Sequence, residues 1–302
     1  MNYYYSSATF SPKNMVFNTL SLFIIYSFTA CSWQETKMPI PAAKKLALIK
    51  VHTPQINQSQ QTTTTSKKKK IYLTFDDGPN NGTSNVINII QEEQVPVTFF
   101  LVGAHSEGSV AQKELMEQLK NVRSSVLCNH SYSHAGNQYE KFYSHPELVV
   151  NDFKKAQLVM NLTNNIARCP GRNAWRIDSS ITITDIKKSK QAIDSIHKNG
   201  FTVMGWDVEW HFDHQKMRTI QSPEKMVAEI DSIIQKKKTR YDDNVILLAH
   251  DQSFQKPEDS LALHKFIKLL KSRNEYELDI VTNYPLVINK EFIPDTTHIR
   301  RP

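Results

Sequence analysis

The sequence predicts an α/β fold built on a parallel sheet, and two observations support this prediction. From Ile71 to about Val281, short apolar segments alternate with longer stretches of helical periodicity. This alternation is typical of parallel sheets, in which a helix returns the chain between neighbouring strands. In addition, polar residues able to carry chemistry directly follow several apolar segments, where α/β folds place their active sites. The pattern fits either a barrel or a doubly wound sheet.

Seven segments have the length and composition expected of strands. They are Ile71–Phe75, Val97–Val102, Ser125–Cys128, Ile166–Cys169, Phe201–Trp206, Val245–Ala249 and Leu278–Val281. Bulky and β-branched residues recur in them and favour an extended, buried backbone.

Six intervening stretches are predicted to be helices. They lie near Thr83–Glu93, Val110–Leu119, Pro146–Leu162, Lys190–Lys198, Pro223–Lys237 and Ser260–Ser272. Thr83 and Ser222 have side chains suited to helix N-caps, and Pro223 suits a first helical position.

Residues 1–30 are predicted to be a signal peptide. Met15 to Ala30 is apolar, uncharged and preceded by Lys13, but it is shorter than the ~20 residues of a membrane span. Phe28-Thr29-Ala30-Cys31 resembles a bacterial lipobox, so Cys31 is the predicted lipid acceptor. The lipid anchor would attach the chain to a membrane as a periplasmic or cell-surface lipoprotein of a bacterium. Ordinary secretion and an uncleaved anchor are the alternatives.

The polar composition of residues 31–70, with its run Thr62 to Thr65, predicts a flexible tether, which leaves 71–302 as the folded domain. The net charge is +7, partly from the lysine runs Lys67 to Lys70 and Lys236 to Lys238. No nucleic-acid-binding motif accompanies these runs, so no nucleic-acid partner is expected. Three cysteines do not form a disulfide framework.

Two polar groups stand out at predicted strand ends. Asp76 and Asp77 end the first strand before the Gly78-Pro79 turn, and adjacent carboxylates repel unless a cation or proton lies between them. His130 and His134 follow the third strand, and histidines four apart share one face of a helical turn. Each pattern alone also fits an ordinary turn or surface. Together, Asp77 and the two histidines form a nitrogen and oxygen ligand set typical of catalytic metal sites.

These residues resemble two motifs of the NodB-like polysaccharide deacetylases, carbohydrate esterase family 4. The first is Thr74-Phe75-Asp76-Asp77-Gly78-Pro79, and the second is His130-Ser131-x-x-His134. Three further matches follow in the family's order: Arg168-Cys169-Pro170, Trp206-Asp207-Val208-Glu209-Trp210 and Leu248-Ala249-His250. The resemblance implies a distorted (β/α) barrel with about seven parallel strands.

The resemblance also implies roles for the acidic and basic residues. Asp77, His130 and His134 would bind a divalent metal, usually zinc, with cobalt or nickel as alternatives. Asp76 would be the general base that takes a proton from water at the metal. Arg168 would pair with Asp76, orient it and hold it ionised.

The remaining implied roles concern the acyl group and the leaving group. His250 would protonate the departing amine while Asp207 holds its imidazole, with Glu209 as the alternative partner. The N–H of Gly171 would bind the oxyanion, and Leu248 would face the acetyl methyl group.

The chain departs from the family at the groove, because the family commonly has an aromatic residue where Gly171 stands. Trp175 and its neighbouring arginines could rebuild that wall, or Trp175 could be core. Trp210 is the predicted groove residue, whereas Trp206 is predicted to be core. His211 and His214, near the fourth motif, are the remaining histidines most expected to join the site.

Two cysteines lie beside the second and third motifs. Cys128 and Cys169 could form a disulfide in an oxidising compartment or remain two buried thiols.

The predicted function is metal-dependent hydrolysis of N-acetyl groups on amino sugars of a cell-envelope or extracellular polysaccharide. The partner would be a polymer containing N-acetylglucosamine or a related amino sugar. The alternatives are an O-acetyl esterase or other amidase on the same scaffold, and a non-catalytic carbohydrate-binding lipoprotein.

Overall fold

The computed structural model describes residues 67–177 and 181–287, and the fold is given for those two ranges. The predicted signal peptide, Cys31 and the predicted tether up to residue 66 lie outside the described residues. The described strands are β1 (Lys69–Asp76), β2 (Val97–Leu101), β3 (Ser125–Asn129), β4 (Ile166–Ala167), β5 (Ala174–Trp175), β6 (Ile183–Thr184), β7 (Thr202–Val203), β8 (Val208–Glu209), β9 (Phe212–Asp213), β10 (Arg218–Thr219), β11 (Asn244–His250) and β12 (Tyr276–Leu278).

The helices lie where the apolar periodicity predicts them, with two short additions, α2 and α4. They are α1 (Thr83–Glu93), α2 (Gly103–Ser106), α3 (Val110–Lys120), α4 (Tyr139–Tyr143), α5 (Pro146–Met160), α6 (Lys190–Lys198), α7 (Pro223–Gln235) and α8 (Pro257–Lys271). Across residues 67–177 and 181–287, no helix combines the length and the apolar character needed to cross a membrane.

The two predicted N-caps have different outcomes. Ser222 caps α7 by accepting the Lys225 N–H, and Pro223 occupies the first turn, as predicted. Thr83, in contrast, is already helical, and its hydroxyl accepts the Asn80 N–H at 2.8 Å and donates to Asp251. The Thr83 side chain therefore fastens the start of α1 to the turn that follows β11.

The main sheet is entirely parallel and runs in the order β7-β4-β3-β2-β1-β11-β8. β12 also pairs in parallel with the first residues of β1. Each predicted strand segment overlaps a described strand, but the segment predicted at Phe201–Trp206 is extended only at Thr202–Val203, and β8 begins two residues beyond it. The segment predicted at Leu278–Val281 overlaps β12 only at Leu278. Two small antiparallel pairs, β5–β6 and β9–β10, were not predicted.

One stretch of the chain supplies both end strands of the sheet, which is curled into the distorted barrel. β7 pairs with β4 at one end of the strand order, and β8 pairs with β11 at the other end. Only residues 204–207, here called the seam, separate the two strands. The Met204 N–H donates to Ala167, and the Asp207 N–H donates to Ile246, each at 2.9 Å. The segment from β7 through the seam to β8 thus connects the two ends of the strand order.

The pleat of the strands separates an outer and an inner set of side chains. On β1 and β11, alternate residues such as Leu73 and Leu247 belong to the outer core packed beneath helices α1, α7 and α8. The intervening residues, such as Tyr72 and Ile246, belong to the inner core of the barrel. Because side chains alternate along a strand, this parity decides which residues reach the barrel mouth.

Candidate active site

Four polar side chains occupy inward positions at the carboxyl ends of neighbouring strands. Asp76 follows the inward Tyr72 and Thr74 along β1 and pairs in register with His250 of β11. The His130 N–H donates to Leu101, and the Arg168 N–H donates to Asn129, each at 2.9 Å. The strand register therefore brings the first, second, third and fifth sequence motifs to one end of the barrel, as predicted.

Asp76 and Arg168 form a buried ion pair. Arg168 Nη1 lies 2.8 Å from Asp76 Oδ1 and 2.7 Å from Thr74 Oγ1. The arginine is 0% exposed and the aspartate 2% exposed. A buried pair is stable only when its remaining polar groups are satisfied, and here Arg168 also donates to Met204 O and Gly205 O in the seam. The predicted partnership of these two residues is present in the structure.

Asp77, His130 and His134 converge on one point, as the metal-ligand prediction requires. Asp77 Oδ1 lies 3.4 Å from His130 Nε2 and 3.1 Å from His134 Nε2. This Oδ1 atom is buried and makes no hydrogen bond to any described residue. His130 Nδ1 lies 3.0 Å from the Arg168 carbonyl, and an Nδ1–H donated there leaves the Nε2 lone pair facing Asp77. An unpaired buried oxygen beside two imidazole nitrogens fits a divalent cation.

The charges of this cluster reinforce the same arrangement. Burial alone would raise the pKa of Asp77, but the imidazoles of His130, His134 and His250 outweigh it and hold that pKa well below its usual range. Burial lowers the pKa of His130, whereas the Asp76 and Asp77 carboxylates raise it more strongly, so the net shift is upward. The site thus attracts positive charge, either protons or a metal ion.

The backbone of Asp77 is held in an unusual conformation. Its φ angle is +76°, in the left-handed region that non-glycine residues rarely adopt. His105 Nδ1 lies 2.7 Å from the Asp77 carbonyl oxygen and fixes the peptide that follows the ligand carboxylate. His105 lines the cleft and was not predicted to belong to the site. Its position just beyond the end of β2 is the sequence signal that could have identified it.

His250 faces the cleft from the opposite side. Its Nε2 lies 3.9 Å from Asp77 Oδ2, and the ring of Phe212 packs 4.9 Å from its imidazole. His250 Nδ1 is buried and has no hydrogen-bond partner among the described residues. This side of the site therefore lacks the fixed hydrogen bonds found around Asp76 and His130.

The prediction that Asp207 holds the His250 imidazole is wrong. The Asp207 carboxylate accepts the N–H groups of Arg240 and Ile246, at 2.6 and 2.8 Å. Burial raises the pKa of Asp207 to about 6 despite those two hydrogen bonds. Glu209, the alternative partner, lines the cleft, but its carboxylate lies 3.3 Å from His211 Nδ1.

The predictions for the tryptophans are also corrected. Trp210 is 0% exposed, packs between Phe254 and Phe266 and donates its indole N–H to Gln221, so it is core. Trp175 is 5% exposed and belongs to the inner core. Trp206, predicted to be core, lines the cleft instead.

The two predicted acyl-site residues both line the cleft. Leu248 does so beside His250, and Gly171 does so after the third motif. The Gly171 N–H makes no hydrogen bond to any described residue, so it is available to an oxyanion. Cys128 and Cys169 are both free, buried thiols, which settles the disulfide alternative in favour of two thiols.

The cleft has a volume of about 610 Å³, within the range of small-molecule sites. Its walls contain Trp206 of the fourth motif and, outside the motifs, Tyr139, Phe212 and Asp185. His211 and His214 also line it, as expected for the histidines near the fourth motif. Tyr139 was missed, although it lies only five residues beyond the ligand His134.

Sequence comparisons agree with this geometry. The polysaccharide deacetylase family model matches residues 63–205, which contain the first three motifs. The chitin disaccharide deacetylase of Vibrio alginolyticus is 26% identical, over 71% of this chain and 71% of that relative. The peptidoglycan-N-acetylglucosamine deacetylase of Bacillus cereus is 27% identical, over 47% of this chain and 48% of that relative.

Solved structures share the fold. The catalytic domain of a peptidoglycan N-acetylglucosamine deacetylase from Eubacterium rectale matches with a TM-score of 0.52 at 22% identity, covering 72% of this chain and 90% of that chain. A family 4 carbohydrate esterase from Streptococcus mutans matches with a TM-score of 0.53 at 20% identity, covering 70% of this chain and 86% of that chain. With the five motifs and the barrel, these matches support a NodB-like polysaccharide deacetylase.

Proposed function

We propose that this protein removes N-acetyl groups from amino sugars of a cell-envelope or extracellular polysaccharide in a metal-dependent hydrolysis. The main support for this proposal is the buried Asp76–Arg168 pair. It lies in one cleft beside the three converging candidate ligands Asp77, His130 and His134. Relatives named for chitin disaccharide and peptidoglycan support an amino-sugar substrate. The chain spans less than half of the second of these relatives, so the choice of polymer rests on experiment.

Asp76 is suited to act as the general base. Its Oδ1 is bound by Arg168, which leaves Oδ2 to accept a proton from water that attacks the acetyl carbonyl carbon. Because Arg168 is fully buried and bonded at several atoms, it fixes the direction of that carboxylate. Binding of a ligand alone would not require such an oriented base, which argues against a non-catalytic binding protein.

Asp77, His130 and His134 would hold the divalent ion, with zinc as the first expectation and cobalt or nickel as alternatives. A bound divalent cation supplies Lewis acidity, which polarises an acyl carbonyl and lowers the pKa of water. The Gly171 N–H can donate to the carbonyl oxygen as it gains negative charge. Leu248 offers an apolar surface to the acetyl methyl group, and it is only 2% exposed.

His250 completes the reaction as the general acid. Its imidazole can give a proton to the amide nitrogen as the C–N bond breaks, which yields acetate and a free amine. The Phe212 ring packed against His250 limits the orientations of the imidazole.

Hydrolysis of an O-acetyl ester is the second candidate, and one observation favours it. His250 Nδ1 has no hydrogen-bond partner among the described residues, so no carboxylate there orients the imidazole for donation to an amide nitrogen. An alkoxide leaves more readily than an amide nitrogen and depends less on such an acid.

The test is acetate release from N-acetylglucosamine oligomers by the full-length chain, after chelation and again after zinc or cobalt is restored. We expect metal-dependent release that is lost in Asp76→Asn while metal binding is retained. Release from O-acetylated xylan but not from the oligomers would favour the ester. No release from either, with metal bound, would contradict both candidates.

We also propose that the chain is exported and acylated at Cys31, which would place the enzyme at a membrane surface. The apolar stretch before Phe28-Thr29-Ala30-Cys31 supports this assignment. Labelling of cells with a radioactive fatty acid is expected to mark the parent chain but not Cys31→Ala. Equal labelling of both would contradict acylation at this cysteine.

A further inference from the structure

The Tyr139 ring leaves no room for a side chain at position 171. Gly171 has a φ angle of +60°, in the left-handed region that favours glycine. A Cβ atom added to Gly171 would lie 2.9 to 3.1 Å from three atoms of the Tyr139 ring, closer than non-bonded carbon atoms pack. The space that a side chain at position 171 would need is therefore filled by an aromatic ring from another segment of the chain.

The Tyr139 ring is held in place on two sides. Tyr139 is the first residue of α4, and its ring makes an edge-to-face contact with His134 at 5.9 Å between centroids. The Arg172 guanidinium lies 5.7 Å from the ring, and Arg172 is itself fixed by hydrogen bonds to Ser189 and Gly171. These contacts orient the ring without using all of its surface, because Tyr139 is only half-buried.

The remaining surface of the ring faces the reacting groups. Tyr139 lines the cleft together with Asp77, His134 and Gly171. Burial and the nearby negative charge of Asp77 both raise the pKa of the Tyr139 phenol, which agrees with a position close to the ligand carboxylate. An aromatic face at the rim of a sugar cleft offers an apolar surface to the C–H groups of a pyranose ring.

We propose that Tyr139 is the substrate-contacting wall of the sugar site, and that position 171 is glycine because this ring occupies its side-chain space. The proposal rests on the proposed function in one respect, that the ligand is an N-acetylated amino sugar. It assigns sugar binding to α4, a segment outside all five motifs, and it leaves Trp175 and Trp210 to the core.

Binding is tested separately from turnover. Calorimetric titration with penta-N-acetylchitopentaose uses full-length protein carrying Asp76→Asn, so that the ligand is not consumed. Adding Tyr139→Ala is expected to weaken binding about tenfold, which corresponds to the loss of about 1.4 kcal/mol and lies within the range of a single aromatic contact. Tyr139→Phe should keep affinity within about twofold, because it retains the ring. Phe142→Ala is the control, because Phe142 lies on the same helix outside the cleft and packs in the core.

The exclusion itself is tested by a double-mutant cycle on thermal stability. Gly171→Ala should lower the melting temperature more in the parent, where the new methyl group meets the ring, than in Tyr139→Ala, where only backbone strain remains. Equal losses in the two backgrounds would contradict the exclusion.

The outcomes separate this inference from the proposed function. If the parent chain releases acetate but Tyr139→Ala changes neither affinity nor KM, the inference is wrong and the function stands. If Tyr139 governs oligomer binding but the parent releases no acetate, the inference stands and the function is wrong. If the parent releases no acetate and the Asp76→Asn protein does not bind the oligomer, both are wrong.

Discussion

The two sides of the cleft are built in different ways. On the ligand side, Asp76, Arg168 and His130 are buried and joined by hydrogen bonds to each other's side chains or backbone. On the opposite side, His250 Nδ1 has no partner among the described residues, and Glu209 pairs with the exposed His211. The difference indicates that the fold holds the candidate base Asp76 and the candidate metal ligand His130 by more hydrogen bonds than the candidate acid His250.

The largest expected effect comes from removing a candidate metal ligand on the ligand side of the cleft. Asp77→Ala should abolish tight metal uptake and reduce acetate release on the order of 10³-fold, since Lewis-acid stabilisation of the developing charge is lost. Metal content by atomic absorption and acetate assays test this expectation. His264→Ala is the control, because His264, Glu92 and Glu93 form a second carboxylate and histidine cluster, already paired with Lys271. Loss of metal in His264→Ala instead would move the metal site to that cluster.

The next largest effect concerns the buried pair. Arg168→Gln leaves the Asp76 carboxylate buried without its counter-charge, and we expect the free energy of unfolding to fall by about 3–5 kcal/mol. Urea unfolding measures this change. Arg172→Gln should cost less, because among the described residues Arg172 donates hydrogen bonds only to Ser189 and a backbone carbonyl and pairs with no carboxylate. Similar losses in the two variants would show that the ion pair has no special place in stability.

On the opposite side, Asp207 should make the free energy of unfolding depend on pH. Its pKa is raised from 3.8 to about 6, so between these values the folded protein binds more protons than the unfolded chain. Its contribution to stability is thus present below pH 4 and is lost as the pH rises through 6, by up to roughly 3 kcal/mol. Asp207→Asn should remove this dependence, and urea unfolding at pH 4 and pH 7 compares the two proteins. Parallel pH profiles would contradict the raised pKa.

The smallest effect sharpens the assignment of the acid. In His250→Ala, hydrolysis of an acetamide should fall more than hydrolysis of an activated acetate ester, by about tenfold in the ratio of kcat/KM values, because general-acid assistance matters most for the poorer leaving group. The ester is 4-nitrophenyl acetate, and the amide is the N-acetylglucosamine oligomer. Equal losses on both substrates would argue that His250 binds substrate and does not donate the proton.

The ligand side of the cleft could be predicted from the sequence, because its residues end strands or directly follow them. Asp76, His130 and Arg168 are each the next inward residue after an inner-core position, so strand ends and family motifs give the same answer. The parallel alternation was predicted correctly for the same reason, since apolar segments and helical periodicity are local properties of the sequence.

The prediction for the opposite side of the cleft was wrong because the predicted strand bounds there were wrong. Asp207 was chosen because it followed a predicted strand at Phe201–Trp206, but β7 ends at Val203, and Asp207 lies just before β8. On β8 the parity places Glu209 toward the cleft and Val208 and Trp210 in the outer core. A two-residue strand has too few side chains to show this alternation in the sequence. Tyr139 was missed because its contact with Gly171 is a tertiary contact between helix α4 and a separate turn.

Arg168 also serves the closure of the barrel, and this has an evolutionary consequence. Besides Asp76, it binds the Met204 and Gly205 carbonyls. These carbonyls lie in the seam, where the chain passes from β7, the neighbour of β4, to β8, the neighbour of β11. A descendant that replaced Asp77 or His134 would keep these bonds across the closure of the barrel, whereas replacement of Arg168 would break them.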